Sequence, residues 1–194
     1  LLAAMLGSFV LFGLSMTPGG AVLPQMIREF HWSYETAAVV LYAGALGYFV
    51  TTFASGLLID RLGPRRVIVG GMLIQAAGLG LFGMTSSVWV NAGLKLLAGI
   101  GLAGTEVVVN LGVVRMERGG QSRLMNLMHG TFAAGAVASP LAVWLIAQAG
   151  GAWQDIYRLT GALSVVMAGL IAAVPFGALA APPAEGDAPA PGLT

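Results

Sequence analysis

Six long apolar stretches, near residues 2–25, 36–58, 67–86, 88–114, 124–148 and 157–180, take up most of this 194-residue chain. About 20 mostly apolar residues in a helix cross the hydrocarbon core of a bilayer, so each stretch is long enough to span one. The breaks between them (REFHWSYE, DRLGPRR, TSSV, RMERGGQSR and GGAWQDIY) are short and polar, and none has room for a folded domain outside the membrane. Charged residues are 9% of the chain, against roughly 25% in soluble domains. Hydrophobic residues are 57% and the mean hydropathy is +0.86. The expected fold is therefore an all-α integral membrane protein, with a bundle of six transmembrane helices over residues 1–180. The remaining stretch, APPAEGDAPAPGLT over 181–194, reads as a Pro/Ala-rich tail or linker.

Several function classes fall away on composition. The net charge is +1 and no basic cluster carries interleaved aromatics, so nucleic acid is not an expected partner. There is no cysteine, and the two histidines, His31 and His129, are about a hundred residues apart, which leaves no metal site to expect. No nucleophile with its base and no phosphate-cradling loop is visible, so neither an enzyme nor a cofactor is expected.

Lysine and arginine set the expected orientation. The second and fourth breaks hold Arg61, Arg65 and Arg66, then Arg115, Arg118 and Arg123, while the odd breaks hold only Arg28 and Arg158. Basic residues favour the cytoplasmic side, so both termini are expected there, in a multi-pass protein of the cell inner (cytoplasmic) membrane. The start of the chain, apolar and without methionine or a basic leader, suits a trimmed start better than a cleavable signal peptide. Small-residue spacings such as Gly44 with Gly47, Gly70 with Gly71, Gly78 with Gly80, and Gly99 with Gly101 and Gly104 are expected to be helix contacts, because helices in lipid associate by close backbone approach. Pro18, Pro24 and Pro140 are expected to bend spans.

One residue stands out against this background. Between Lys95 and Arg115 lie 19 residues, of which only Glu106 is charged. Intramembrane carboxylates are expensive and commonly mark substrate or proton pathways. On a helix, Asn91, Lys95, Gly99, Leu102, Glu106 and Asn110 fall within an arc of about 100°. Lys95 and Glu106 nevertheless sit eleven residues apart, roughly 16 Å along the axis, too far for an ion pair within one helix. Burial raises a carboxylate's pKa toward neutrality, which makes Glu106 the leading candidate proton carrier. His129 is the second, since imidazole titrates near there unperturbed. Asn110 and Asn126 offer donors and acceptors to hold Glu106 or a solute, and Lys95, Gln25 and Thr17 complete the candidate substrate-binding set.

The stretch from Gly56 to Arg66, GLLIDRLGPRR, places Gly56, Asp60, Arg61, Gly63, Arg65 and Arg66 between the second and third spans. It resembles the signature of the major facilitator superfamily, whose members use this cluster as a cytoplasmic gating latch. Lys95, Gly99, Gly101 and Ala103 resemble the family's basic-plus-glycine motif, with lysine in place of arginine. GAVASP, Gly135 to Pro140, partly matches the antiporter motif, with Ser139 in place of its glycine. AWQDIYR resembles the usual start of the sixth helix, with Gln154 in place of arginine. Within the superfamily, Glu106, Asn110, Arg123, Asn126, Phe132, Gly135 and Ala136 are similar to the fucose:proton symporter family, whose first-helix aspartate would fall at Gly20. The resemblance implies the N-terminal six-helix half of a twelve-helix fold, arranged as a 3+3 inverted repeat. Its partners would be the lipid bilayer, a small-molecule solute, protons, and a second six-helix half supplied by a missing C-terminal half, another chain or a second copy.

Three functions compete on the sequence. The leading one is half of a secondary active transporter that moves a small polar solute such as a sugar by alternating access, proton-coupled through Glu106. The others are a transporter of an organic anion or amphipathic compound, in which Lys95 and the methionines Met16, Met125 and Met128 matter more, and a non-transporting membrane scaffold subunit.

Overall fold

The computed structural model describes residues 1–117 and 122–176, which form helices and short turns with no strand among them. The expected tail over 181–194, residues 177–180 of the sixth expected span, and Arg118 lie outside the described residues. The helices are α1 (Leu2–Met16), α2 (Pro18–Phe30), α3 (Tyr34–Leu62), α4 (Pro64–Gly80), α5 (Val88–Met116), α6 (Arg123–Gln148) and α7 (Gln154–Ala173).

The first expected span is two helices broken at Thr17, and it runs five residues past its expected end. Pro18 has no amide hydrogen, so the carbonyl four residues back loses its helical donor and the axis breaks there. The Thr17 hydroxyl donates to the Gly13 carbonyl at 2.9 Å and to that of Ala136 on α6 at 3.3 Å. Ala136 lies four residues before Pro140, inside the unbroken α6, and lacks its own helical donor for the same reason, so the hydroxyl at the Pro18 break supplies one. The chain then stays helical past Pro24 until His31 takes a left-handed conformation and returns its N–H to Ile27.

At the other end of α3 the expected loop DRLGPRR shrinks to one residue. Gly63, at φ 80°, gives its N–H to Ile59 at 2.8 Å, and Pro64 starts α4 with its φ already fixed. The expected third span, 67–86, is helical only to Gly80, and the turn that follows is held by Asn91. Its Oδ1 accepts from the Gly83 amide at 2.9 Å, and its Nδ2 donates to the carbonyls of Thr85 and Ser87. Asn91, placed by the sequence on the polar stripe, is thereby consumed in fixing a turn.

Among the described residues five helical stretches are long and apolar enough to cross a membrane: Leu2–Phe30, Tyr34–Leu62, Val88–Met116, Arg123–Gln148 and Gln154–Ala173. α4 has 17 residues, and at about 1.5 Å each it measures roughly 26 Å against a core of about 30 Å. Phe49, Phe53 and Leu57 on α3, with Leu141 and Trp144 on α6, point outward. Such a belt is a liability in water and is what hydrocarbon requires. This is a multi-pass membrane protein.

Packing relies on close backbone approach. A methyl group at Gly99 of α5 would overlap the Gly44 carbonyl of α3, and one at Gly135 of α6 would overlap the Val10 carbonyl of α1. Gly70 and Gly80, from the same expected contact faces, stand in open space. Two apolar clusters fill opposite ends of the bundle. One gathers Phe9, Ile68, Met72, Val109, Met128 and Ile171, and the other Met26, Val40, Phe82, Trp153, Ile156 and Tyr157. Between them buried Gln75 donates both amide hydrogens, to Ser15 of α1 and Ser164 of α7, each at 3.1 Å, which cross-links three helices.

Candidate functional site

The break at Thr17 and the tight approach of α3 to α5 together leave a cavity of about 340 Å³. Ser15, Met16, Gly19 and Gly20 border it on the first span, where absent side chains leave space beside the broken helix. α3 contributes Leu41, Gly44, Ala45 and Tyr48, and α5 contributes Lys95, Ala98, Gly99 and Leu102, with Leu79 of α4 at its edge. Of these thirteen residues only Ser15, Tyr48 and Lys95 carry a polar side chain.

Lys95 is the one charged residue lining the cavity and the one lysine in the chain. Its ammonium lies 4.2 Å from the ring centre of Tyr157 and 4.6 Å from that of Phe82. The two rings meet edge to face with centres 4.9 Å apart and are themselves fully buried. A cation on aromatic faces gains about 0.5–2 kcal/mol from the ring quadrupoles. Among the described residues the one ion pair is exposed, between Arg158 and Asp155. Lys95 therefore meets the cavity without a carboxylate partner among those residues.

Glu106 does not line the cavity but is joined to it. It is half-buried, and one carboxylate oxygen accepts the phenol hydrogen of Tyr48, whose ring forms part of the cavity wall. The geometry follows from the glycine contact: Gly44 against Gly99 brings α3 onto α5, Tyr48 lies one turn beyond Gly44, and Glu106 two turns beyond Gly99.

The remaining candidates are dispersed. Asn110 is half-buried one turn past Glu106, and Asn126 and His129 are exposed on α6, where the imidazole lies edge-on to Phe9 at 6.5 Å. Gln25 is half-buried on α2, and its Oε1 is buried without a hydrogen-bond partner. The Thr17 hydroxyl is spent on two carbonyls, as described above. In the gating stretch, Gly56 is exposed with open space where a side chain would go, so packing within this chain does not require its small size. Arg65 donates to the Ala172 carbonyl in the last turn of α7, a carbonyl that helix geometry leaves free. Asp60, Arg61 and Arg66 are exposed at the same end.

The sequence reading missed Tyr48, Phe82 and Tyr157. Tyr157 had a signal, as the aromatic that closes the AWQDIYR motif, whereas Tyr48 and Phe82 sit in apolar runs where nothing in the pattern sets them apart.

The family described as Major Facilitator Superfamily matches residues 4–193. Among curated proteins, the chain is similar to Bypass of stop codon protein 6 of Saccharomyces cerevisiae, at 32% identity over 145 residues, covering 71% of this chain and 28% of that protein. It is also similar to the Gentisate transporter of Corynebacterium glutamicum, at 27% identity over 103 residues, covering 53% of this chain and 23% of that protein. The chain thus spans about a quarter of the length of the curated relatives it matches.

Proposed function

We propose that this chain, which belongs to the Major Facilitator Superfamily, forms one six-helix half of a secondary transporter for small organic anions with an apolar body. Lys95 holds the anionic group, the apolar walls take the body, and Glu106 carries the driving proton. The family points to a transporter and not to an enzyme.

The observation that carries this reading is the make-up of the cavity wall: one cation, two hydroxyl-bearing residues and otherwise apolar or glycine surface. Binding sites fix a ligand by a few placed polar groups on an apolar lining, and the chemistry of those groups names the ligand. A sugar needs many hydrogen-bond partners, and buried hydroxyls without them cost about 1–3 kcal/mol each. This wall offers too few for a sugar, and the fucose-type solute of the sequence reading gains no support from it. The gentisate named for one relative is an aromatic carboxylate, in keeping with a cation set in an apolar wall.

In the same reading α4 also crosses the membrane, as the third of six spans, its short length made up by the flanking turn and by arginines that reach back to the interface. The 3+3 arrangement has support in the packing: α3 lies on α5 and α1 on α6, each across a glycine contact. Exchanging the first three spans with the last three maps one of these pairs onto the other. A second six-helix half, from the rest of a longer protein, another chain or a copy, closes the cavity during alternating access. Its surface would meet the exposed gating residues Gly56, Asp60, Arg61 and Arg66, at the membrane face that the arginines mark as cytoplasmic.

The test is ligand-induced thermal stabilisation of the purified protein, since a ligand that binds only the folded state raises apparent stability. Benzoate and benzenesulfonate should raise Tm, and glucose and fucose should not. Stabilisation by the sugars alone would refute the anion reading.

A further inference from the structure

Tyr48 stands in two places at once. Its ring lines the cavity that holds Lys95, and its phenol hydrogen is given to Glu106, outside that cavity. We propose that Tyr48 is the positioning residue that links Glu106 to the cavity, so that protonating Glu106 releases the phenol to a bound anion. This rests on the anion reading above.

The chemistry of one hydrogen explains the link. A phenol has a single O–H and can donate it to one strong acceptor at a time. While Glu106 is a carboxylate it is a charged acceptor, and hydrogen bonds to charged groups are roughly twice as strong as neutral ones. The phenol is then held on Glu106, and the cavity has only Lys95 and Ser15 to offer an anion. When Glu106 takes a proton, it becomes a neutral acid and its own O–H turns into a donor. The Tyr48 hydrogen is then better placed on an anion beside Lys95, as a second donor to the same group. Anion and proton thereby favour each other's binding, and by thermodynamic reciprocity each raises the affinity of the other by the same factor.

The surroundings leave this role to Tyr48. On its own helix Glu106 has Lys95, eleven residues away, and Arg115 and Glu117 at the far end. α3 presents Tyr48 and ends in Asp60 and Arg61, α4 carries only Arg65 and Arg66 in its first turn, and α1 has no titratable side chain. α6 carries Arg123 and His129, the latter beside Phe9. Among the described residues Tyr48 is the titratable side chain that hydrogen-bonds Glu106. Its ring is half-buried, packs obliquely on Phe12 at 6.4 Å and lines the cavity.

The test is calorimetric titration of the purified protein with benzenesulfonate, which stays a monoanion at every pH used, so that any pH dependence belongs to the protein. Wild type and Lys95→Arg, whose guanidinium keeps its charge throughout, should both bind about tenfold tighter at mildly acidic than at mildly alkaline pH, the effect of one gained hydrogen bond. A dependence present in wild type but missing from Lys95→Arg would belong to Lys95 and overturn the link. Tyr48→Phe should bind with that dependence flattened. Glu106→Gln, a neutral mimic of the protonated acid, should bind at alkaline pH with the affinity that wild type shows in acid. An unchanged pH profile in Tyr48→Phe would overturn the link. If that variant does not fold, an unchanged profile in Glu106→Gln overturns it equally. Should benzenesulfonate fail to bind wild type at either pH, the anion reading falls and the link with it. Binding that depends on Lys95 but keeps its pH profile without Tyr48 removes the link alone.

Discussion

Replacing Lys95 by methionine separates binding from stability more cleanly than any other change in this protein. The substitution keeps an unbranched side chain of similar length against Phe82 and Tyr157 and removes the one charge that lines the cavity. In the free protein two opposing effects are lost together. The ring faces hold the ammonium by about 0.5–2 kcal/mol, while keeping a cation partly out of water costs several kcal/mol. The Tm of Lys95→Met without ligand should therefore equal or exceed that of wild type. Binding should change far more, because a charge-assisted hydrogen bond contributes about 1.5–3 kcal/mol, or roughly 10- to 150-fold in Kd. Titration with benzenesulfonate in detergent or nanodiscs measures the second quantity, and thermal unfolding of the same sample the first. Lys95→Arg, which keeps the charge, should retain most of the affinity. A Lys95→Met protein that binds the anion as wild type does would refute the assignment, and one that unfolds at much lower temperature would make Lys95 a structural residue.

Three further substitutions test how the site is held in place. Gly99→Ala drives a methyl group into the Gly44 carbonyl; it should lower stability by about 1–3 kcal/mol in thermal unfolding and weaken anion binding as α3 and α5 move apart. Thr17→Val keeps the shape and loses the hydroxyl bridge to Gly13 and Ala136; it should cost about 1 kcal/mol, with hydrogen exchange rising locally around Thr17 and Pro140. Gly63→Ala must hold a side chain at φ 80°; it should cost about 1–2 kcal/mol in unfolding while leaving benzenesulfonate affinity within about twofold, because the turn is remote from the cavity.

The helices were legible because the membrane imposes a coarse rule. A run of about 20 apolar residues has few alternatives to a spanning helix. What the runs do not encode is where a helix continues past a proline, because that depends on whether another helix supplies the missing donor, as Thr17 does for Ala136. Glu106 was legible as an isolated charge, and the periodicity of an unbroken α5 sets it on the same face as Lys95. That face did not show that Asn91 would turn inward to serve a neighbouring turn, or that Lys95 and not Glu106 would line the cavity. Both outcomes are set by what packs against α5: Tyr48 comes within reach of Glu106 because glycines bring α3 close, Phe82 folds back from the turn before α5, and Tyr157 arrives from α7. Contacts between helices leave little trace in a single sequence when the residues making them are apolar or aromatic.

The central claim, that the Lys95 ammonium receives an anionic solute, can be tested at that atom. Lys95 is the one lysine in the chain, so an amine-acylating reagent read by mass spectrometry reports on it separately from the N-terminal amine. Benzenesulfonate should slow acylation of Lys95 and leave the N-terminal amine unaffected, while glucose changes neither. Equal acylation of Lys95 with and without the anion, or protection by glucose instead, would contradict the account.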